Sequence, residues 1–236
     1  MIPVAEQPEP RTFDAQVRAK GLAHLEKKGY SLDQPLPPKA KITPYWRDCL
    51  TELYQAYGGI CAYLGVHFER VMGGGSVDHF IAKSANAGLA YEWTNYRLAC
   101  TTMNSRKREY SDVLDPFYLA PDLFRLQLST GHIYPHPELN VRAMRLVEET
   151  IERLGLDDPQ CRALRTSWYQ DYLEHGLPSD YLKKKSPFVW YCWPTKFVPA
   201  RPTTPTFKPH RALFCGPTSC VSGNWPCPCC RQLCLS

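Results

Sequence analysis

Four polar residues occur in an order and spacing that could support hydrolytic chemistry. Asp78 and His79 are adjacent, and Asn95 and Asn104 follow them within one short stretch of the chain. Carboxylate and carboxamide oxygens are ligands for hard cations such as Mg²⁺, and an imidazole with an unperturbed pKa of about 6.5 can take a proton from water. These side chains are therefore the parts of a hydrolytic site built around one metal ion.

Each of these signals also has an ordinary interpretation. A lone Asp-His pair is usually a hydrogen-bonded surface pair, and Asn95, which precedes Tyr96, could cap a helix. The run Arg106-Lys107-Arg108 is by itself usually a solvated face. The catalytic interpretation depends on the order, the spacing and the elements predicted around these residues.

Bulk composition indicates a globular protein and says little about a substrate. The chain has 236 residues, of which 44% are hydrophobic and 22% charged, an ordinary balance for a folded protein. The net charge of +5 comes from residues 191–236, which hold five basic residues and no acidic one, so 1–190 keep 28 − 5 = 23 basic against 23 acidic residues. Attraction to nucleic acid must then depend on local clusters.

The chain has no feature that directs it to a membrane. It contains no run of about 20 apolar residues, the length that a bilayer span needs. Its first residues lack the basic and apolar regions of a signal peptide. We therefore expect a cytoplasmic protein without a membrane partner.

Periodicity and turn residues predict a hairpin and a helix around the polar residues. The strands of the hairpin are 60–70 and 76–82, joined by a run of three glycines that favours a turn over a phosphate-binding loop, because no P-loop lysine follows. The helix is 96–110. Elsewhere the sequence predicts helices 13–28, 44–57, 144–154 and 158–174 and a hairpin of 124–128 with 132–134.

Residues 191–236 differ from the rest of the chain. They contain eight prolines, seven cysteines, no acidic residue and no sustained periodicity, so we do not expect a packed core. We favour an irregular tail, including one produced by a shifted reading frame. The alternative is a metal-binding knuckle, but its spacings differ from the paired CxxC of structural zinc sites. Its ligands would be Cys227, Cys229, Cys230 and Cys234.

Three stretches of the chain together resemble the stand-alone HNH endonucleases, and most closely the bacterial type of defence and retron-associated loci. They are VDHFIAKS at 77–84, YEWTNYRLAC at 91–100 and NSRK at 104–107. The likeness extends over about residues 11–190, and its specific motif is confined to about 60–117.

The resemblance implies a ββα-metal core and a role for each polar residue. Asp78 and Asn104 would bind one Mg²⁺ or Mn²⁺, and His79 would be the general base that activates water. Asn95 would be structural, bonding backbone across the loop so that His79 points at the phosphate. The substrate would be DNA, cut to leave a 5′-phosphate and a 3′-hydroxyl. A companion ATPase or another defence-system protein would be the partner.

Three basic residues are candidates for contacts with DNA phosphates. If 96–110 is one helix, Lys107 and Arg108 lie on the face that carries Asn104. Arg97 is a further candidate, because it lies in the motif between the two asparagines.

Two departures from the HNH pattern affect the expected metals. Many HNH proteins hold a structural zinc with two CxxC pairs, but here each pair keeps one cysteine, Cys61 or Cys100, and the other positions hold Leu64 and Met103. Two thiols do not make a four-ligand zinc site, so we expect apolar packing and no structural zinc. Asn104 replaces the final histidine, and its amide oxygen can still coordinate Mg²⁺.

The sequence thus predicts an α+β protein with a ββα-metal (HNH, His-Me finger) core flanked by helices and followed by an irregular tail. The predicted function is that of a metal-dependent DNA endonuclease, with anti-phage defence as its setting. The alternative is a nucleic-acid-binding or partner-docking module with a retired active site, and a toxin or effector controlled by a companion protein would share the chemistry. The predicted regions are 1–57 (helical), 58–117 (nuclease core), 118–190 (hairpin and helices) and 191–236 (tail).

Overall fold

Helices and two short strand pairs alternate along residues 1–72 and 74–193, which the structure, a computed structural model, describes. Helices hold 44% and strands 10% of the described residues, which confirms the α+β class. The strands are β1 (Gly75–His79), β2 (Tyr96–Cys100), β3 (Phe124–Gln127) and β4 (His132–Pro135). The α-helices are α1 (Ala19–Lys27), α2 (Leu50–Ala56), α3 (Thr101–Lys107), α4 (Val141–Leu154), α5 (Pro159–Glu174), α6 (Ser179–Lys185) and α7 (Pro187–Cys192). A π-helical turn, Asp14–Arg18, precedes α1, and 3₁₀ turns occur at Tyr45–Arg47, Arg70–Met72, Gly88–Tyr91 and Trp93–Asn95.

β1 pairs with β2 in an antiparallel sheet in which Asp78 lies opposite Arg97. The predicted pairing of 76–82 with 60–70 is therefore wrong. Residues 60–70 contribute an isolated bridge and no strand. Their apolar side chains are largely buried in the core, and Gly65, with a φ of +62°, turns the backbone before a strand can extend.

The predicted helix 96–110 is wrong in its first half, which is β2. Only α3 is helical, and Arg108, directly after it, has a φ of +49°. The residues of β2 up to Ala99 are all buried, so the strand shows no alternation of apolar and polar side chains. A short apolar run of this kind cannot be distinguished from a buried helix by its pattern.

The other predicted elements are confirmed. The two N-terminal regions expected to be helical contain α1 and α2, the second hairpin is β3–β4, and α4 and α5 cover 144–154 and 158–174. α4 begins where the side chain of Asn140 accepts a backbone hydrogen bond, and it ends at Gly155, which adopts the left-handed conformation. The sequence did not predict α6 and α7, which are seven and six residues long.

The sheet β1–β2 lies between two apolar clusters. Because side chains alternate across a strand, Leu98 packs into one cluster and Ala99 into the other. The first cluster joins α1 and α2 to the sheet and includes Phe13, Val17, Leu25, Leu53, Val77 and Trp93. The second joins α3 to the C-terminal helices and includes Tyr63, Met103, Val147, Leu154 and Phe188. The polar residues of the motif are thus held by packing on both sides.

All described residues belong to one compact unit. None of the helices in these residues is long and apolar enough to cross a bilayer. Of the predicted tail, Tyr191 and Cys192 belong to α7, and the remaining predictions for it, including the knuckle at Cys227, Cys229, Cys230 and Cys234, lie outside the described residues.

Candidate active site

The end of β1 holds the acid and the histidine of the motif inside the protein. Asp78 is 1% and His79 is 7% exposed. Asn95 lies in the 3₁₀ turn before β2, and Asn104 lies in α3. Both asparagines hydrogen-bond to backbone between 77 and 81, so all four polar residues surround one segment.

The imidazole of His79 is fixed by a backbone carbonyl and by aromatic rings. Its Nε2 lies 2.9 Å from the carbonyl oxygen of Ala90, which also accepts a hydrogen bond from the hydroxyl of Tyr96 at 2.8 Å. Since a carbonyl can only accept, Nε2 carries the ring proton, and a neutral ring then has its lone pair on Nδ1. The ring of Trp46 packs edge-on against the imidazole, with centroids 4.8 Å apart.

Burial keeps this imidazole neutral. It lowers the pKa of His79 to about 4, against a smaller opposing effect of the bond to Ala90, and the nearby charges of Lys83 and Lys107 lower it further. A neutral imidazole is the protonation state that a general base needs before it accepts a proton. The site therefore has a base with a defined tautomer at neutral pH.

Asp78 has a polar partner on each side of its carboxylate. The hydroxyl of Tyr63 donates to Oδ2 at 2.5 Å, and the ammonium of Lys107 lies 3.7 Å from Oδ1. Burial raises the pKa of the Asp78 carboxyl, and the Lys107 charge and the Tyr63 bond act against that rise. A further cation beside Oδ1 would favour the ionised carboxylate.

Asn104 links α3 to β1, because its Nδ2 donates to the carbonyl of Val77 at 3.3 Å. Among the described residues no hydrogen-bond donor lies within 3.5 Å of its Oδ1 or of the Oδ1 of Asp78, although the Lys107 ammonium is ion-paired with the latter. These two hard oxygen donors fit Mg²⁺ or Mn²⁺. Within residues 1–72 and 74–193 no three His, Cys, Asp or Glu side chains are grouped to hold a metal, so waters and phosphate oxygens would have to complete the coordination.

Asn95 organises the loop that follows His79. Its Nδ2 donates to the carbonyl of Leu89 at 2.9 Å and also to that of Ile81. Its backbone carbonyl accepts from the N–H of Phe80 at 2.9 Å. The Asn95 side chain is 5% exposed, so these bonds satisfy its polar atoms where water has little access. These are contacts of the kind expected for a residue that orients the neighbouring histidine.

Two of the three basic residues expected to contact phosphate are buried. Arg97, 2% exposed, forms a two-pronged ion pair with Asp115, with distances of 2.7 and 2.6 Å. Lys107 is fully buried, and its ammonium donates to the carbonyls of His79 and Phe80 at 3.0 and 2.8 Å. The structure therefore contradicts the expected phosphate contacts of both, because each cation faces protein oxygens. Arg108 is exposed.

The two remaining cysteines of the CxxC positions are in contact. The N–H of Cys100 donates to the sulfur of Cys61 at 3.5 Å, both thiols are free, and Met103 is buried in the same cluster as Cys61. Burial raises the pKa of Cys61, whereas the hydrogen bond from Cys61 lowers the pKa of Cys100 to about 7. Leu64 and Met103, at the two positions that lost cysteine, pack into the same apolar cluster, as the sequence predicts, whereas Cys100 is only half-buried.

Sequence reasoning missed two residues that contact the motif. Tyr63 bonds Asp78 and Trp46 packs on His79, and both side chains come from segments outside the strand–helix motif. Tyr63 lies inside the degenerate CxxC segment, which was the one available signal. Trp46 gave none, because its contact with His79 is produced by the packing of the turn before α2.

Comparison of the chain with protein-family models and with curated proteins finds no match. The function must therefore be inferred from the site itself. The relevant features are a neutral histidine of fixed tautomer, two side-chain oxygen donors, one of them ion-paired with Lys107, and an asparagine that braces the loop after the histidine.

Proposed function

We propose that the protein is a metal-dependent HNH-type endonuclease that hydrolyses phosphodiester bonds of DNA. The observation that supports this most strongly is the bond from His79 Nε2 to the carbonyl of Ala90, which leaves Nδ1 as the proton acceptor. The antiparallel pair β1–β2 followed directly by α3 agrees with a ββα-metal core.

In the proposed reaction His79 Nδ1 takes a proton from the attacking water. The ring cannot rotate freely, because the carbonyl of Ala90 and the rings of Trp46 and Tyr96 hold it. Asp78 and Asn104 would hold one Mg²⁺ or Mn²⁺, which when bound neutralises charge on the scissile phosphate and on the departing oxygen. The residues of this chain thus supply the base and the oxygen ligands.

One observation favours the alternative of a retired site that binds nucleic acid or a partner without cutting. The ammonium of Lys107 already places a positive charge 3.7 Å from Asp78 Oδ1 and within hydrogen-bonding distance of two main-chain carbonyls. A resident cation of this kind competes electrostatically with a metal ion. Burial lowers the pKa of Lys107, and the negative charge of Asp78 opposes that effect. Binding of a divalent ion therefore depends on whether the Lys107 ammonium keeps its charge and its position beside Asp78.

The resemblance also supports the setting that we propose: a cytoplasmic protein of an anti-phage system that acts with a companion ATPase or another defence protein. Residues 1–190 contain 23 basic and 23 acidic residues, so this part of the chain has no net positive charge to attract DNA. This agrees with a partner that contributes part of the DNA affinity.

Plasmid cleavage tests the proposed function. Purified protein is incubated with supercoiled plasmid and Mg²⁺ or Mn²⁺, beside His79→Ala and a matched control, His175→Ala, whose imidazole is 69% exposed. We expect wild type and the control to nick or linearise the plasmid, and His79→Ala to lose at least about a hundredfold in rate. Equal cleavage by all three proteins contradicts the role of His79. No cleavage by any of them, with native circular dichroism, favours the retired site.

A further inference from the structure

A basic cleft lies beside Trp46, which packs on His79, and much of its lining comes from a segment outside the motif. Its volume is about 650 Å³, within the range of pockets that hold small ligands. One wall is the segment 36–47 that leads into α2, and the other is Lys83-Ser84, just after the strand that carries His79. Glu109, after α3, completes the lining. Three parts of the chain distant in sequence thus meet at this cleft.

The cleft contains four cations and one carboxylate. Lys39, Lys41 and Arg47 are exposed and Lys83 is half-buried, while Glu109 is the acidic residue of the lining. None of the four cations forms an ion pair with a described residue. In contrast, two of the three arginines of the cleft beside α3 are already paired, Arg106 with Asp158 and Arg153 with Asp112, and among the described residues only Arg108 of that cleft has no ion pair. The basic side chains without an ion pair near the candidate active site are therefore concentrated in the basic cleft between 36–47 and Lys83-Ser84.

Trp46 connects this cleft to the candidate active site. Its indole lines the cleft and at the same time packs edge-on against His79, with centroids 4.8 Å apart. The ring of Tyr91 packs against the indole, with ring centroids 5.9 Å apart, and the ammonium of Lys83 lies 5.8 Å from the centre of the indole ring. A half-buried indole held in this way is a rigid platform on which a planar group can stack.

Backbone hydrogen bonds hold the segment that forms the outer wall. The N–H of Leu36 donates to the carbonyl of Ser84 at 3.0 Å, and two further bonds join residues 32–34 to 87–88. At the other end the hydroxyl of Tyr91 donates to the carbonyl of Thr43 at 2.8 Å. A binding surface that is already ordered loses less conformational entropy when a ligand binds.

We infer that this cleft binds a single-stranded segment of polynucleotide next to the reactive histidine. Cations without a carboxylate partner among the described residues suit backbone phosphates, and the indole in the same cleft suits an unstacked base. A base inside a duplex is stacked on both faces and cannot reach Trp46. The inference rests on the proposed function and names its substrate class more narrowly: the strand that reaches His79 is unpaired there.

The test is the binding of a short fluorescein-labelled oligonucleotide, single-stranded or duplex, measured by anisotropy in EDTA so that no cleavage occurs. The test variant is Lys39→Gln/Lys41→Gln/Arg47→Gln. The matched control is Lys20→Gln/Lys27→Gln/Lys28→Gln, which removes the same charge from exposed positions outside the cleft. Trp46→Ala and Trp46→Phe form a second pair, in which the phenylalanine keeps an aromatic face.

Wild type should bind the single strand more tightly than the duplex. The cleft variant should raise Kd for the single strand at least about tenfold and lower the slope of log K against log salt by about 2, since each lost phosphate contact contributes about 0.7. The control triple variant should change neither. Trp46→Ala should weaken single-strand binding about tenfold without changing the salt slope, and Trp46→Phe should restore most of it.

The result also separates this inference from the proposed function. Tight single-strand binding that the cleft variant loses, in a protein that with Mg²⁺ or Mn²⁺ cuts neither plasmid nor the single-stranded oligonucleotide, supports the cleft and removes the nuclease. If the protein cuts plasmid but the cleft and control variants bind the single strand equally well, the cleft is not the binding site for the strand, and the proposed nuclease function stands. Duplex bound more tightly than single strand also overturns the inference.

Discussion

Asn95 and Ile81 exchange two hydrogen bonds: the amide Oδ1 accepts from the N–H of Ile81 at 2.8 Å, and Nδ2 donates to its carbonyl at 3.0 Å. The side chain satisfies both backbone groups of one residue, as a neighbouring strand would. Because Ile81 lies two positions after His79, this pairing fixes the direction in which the chain leaves β1. The orientation of the imidazole therefore depends on a residue that does not touch it.

Replacing Asn95 should destabilise the protein and misplace His79. Asn95→Ala leaves the N–H and carbonyl of Ile81 and the carbonyl of Leu89 without these partners, and should lower the free energy of unfolding by about 2–4 kcal/mol. Urea denaturation followed by circular dichroism measures the change.

The control for this variant is Asn140→Ala, which removes the single capping bond at the start of α4 and should cost about 1 kcal/mol. Equal losses in the two variants would contradict the bracing role of Asn95. Under conditions where the protein remains folded, plasmid cleavage by Asn95→Ala should also fall, because the loop no longer holds His79 in place.

The features of the site that the sequence predicted are local. Asp78-His79, Asn95 and Asn104 were identified from their order and types, and Asn95 does bond the backbone of the loop. The partner of β1 was not predicted. Strand pairing depends on long-range contacts, and residues 60–70 have strand-like composition because they are buried.

The roles of the basic residues could not be read from the sequence for a related reason. Arg97 has the same charge as a phosphate-binding arginine, but Asp115, which lies after α3, folds back onto it. Lys107 does lie in α3 three residues after Asn104, as expected, but its ammonium reaches the carbonyls of His79 and Phe80 and is buried there. The role of a polar side chain near a site depends on the groups that it contacts, and tertiary packing determines which groups those are.

The ion pair of Arg97 with Asp115 should be essential for stability. Asp115→Asn leaves the guanidinium, 2% exposed and 3.5 Å from the centre of the Phe117 ring, without a counter-charge. Breaking a buried pair from one side costs about 3–5 kcal/mol, because the remaining charge stays desolvated. Urea denaturation should show this loss.

An exposed pair provides the matched comparison. Glu149→Gln removes the partner of Arg145, whose side chain is 79% exposed, and should change the unfolding free energy by less than about 1 kcal/mol. A loss in Asp115→Asn as small as that of Glu149→Gln would show that Arg97 finds solvent or another partner.

The carboxylate of Asp157 should contribute stability that is lost in acid. Partial burial would raise its pKa, but hydrogen bonds from Arg162, from the N–H of Ile133 and from His132 lower the pKa of Asp157 to about 2. A carboxyl whose pKa is lower in the folded state contributes fully above its unfolded pKa, near 3.8, and loses that contribution as the pH falls towards 2.

Thermal unfolding of wild type and Asp157→Asn between about pH 5 and pH 2 tests this linkage. The difference in Tm should be largest at the upper end of the range and should shrink as the pH falls. Asp171→Asn, which removes a carboxylate that is 47% exposed, should show little difference at any of these pH values. A constant gap between wild type and Asp157→Asn would mean that the ionised carboxylate is not the stabilising form.

Gly21 should be intolerant of the smallest side chain, although it lies within α1. An alanine in a helix interior normally stabilises by about 1 kcal/mol relative to glycine. Here a Cβ atom would lie 2.2 Å from the ring of Tyr91, which is fully buried and supports Trp46. Such overpacking costs about 1–3 kcal/mol, so we expect Gly21→Ala to destabilise in urea denaturation. Lys20→Ala, on the exposed side of the same helix, is the control and should leave the free energy of unfolding nearly unchanged. The clash also predicts that the two substitutions are not additive. Tyr91→Leu makes room for the new methyl group, so the double variant should lose less free energy of unfolding than the sum of the two single variants. Additive losses would locate the effect of Gly21→Ala elsewhere in α1.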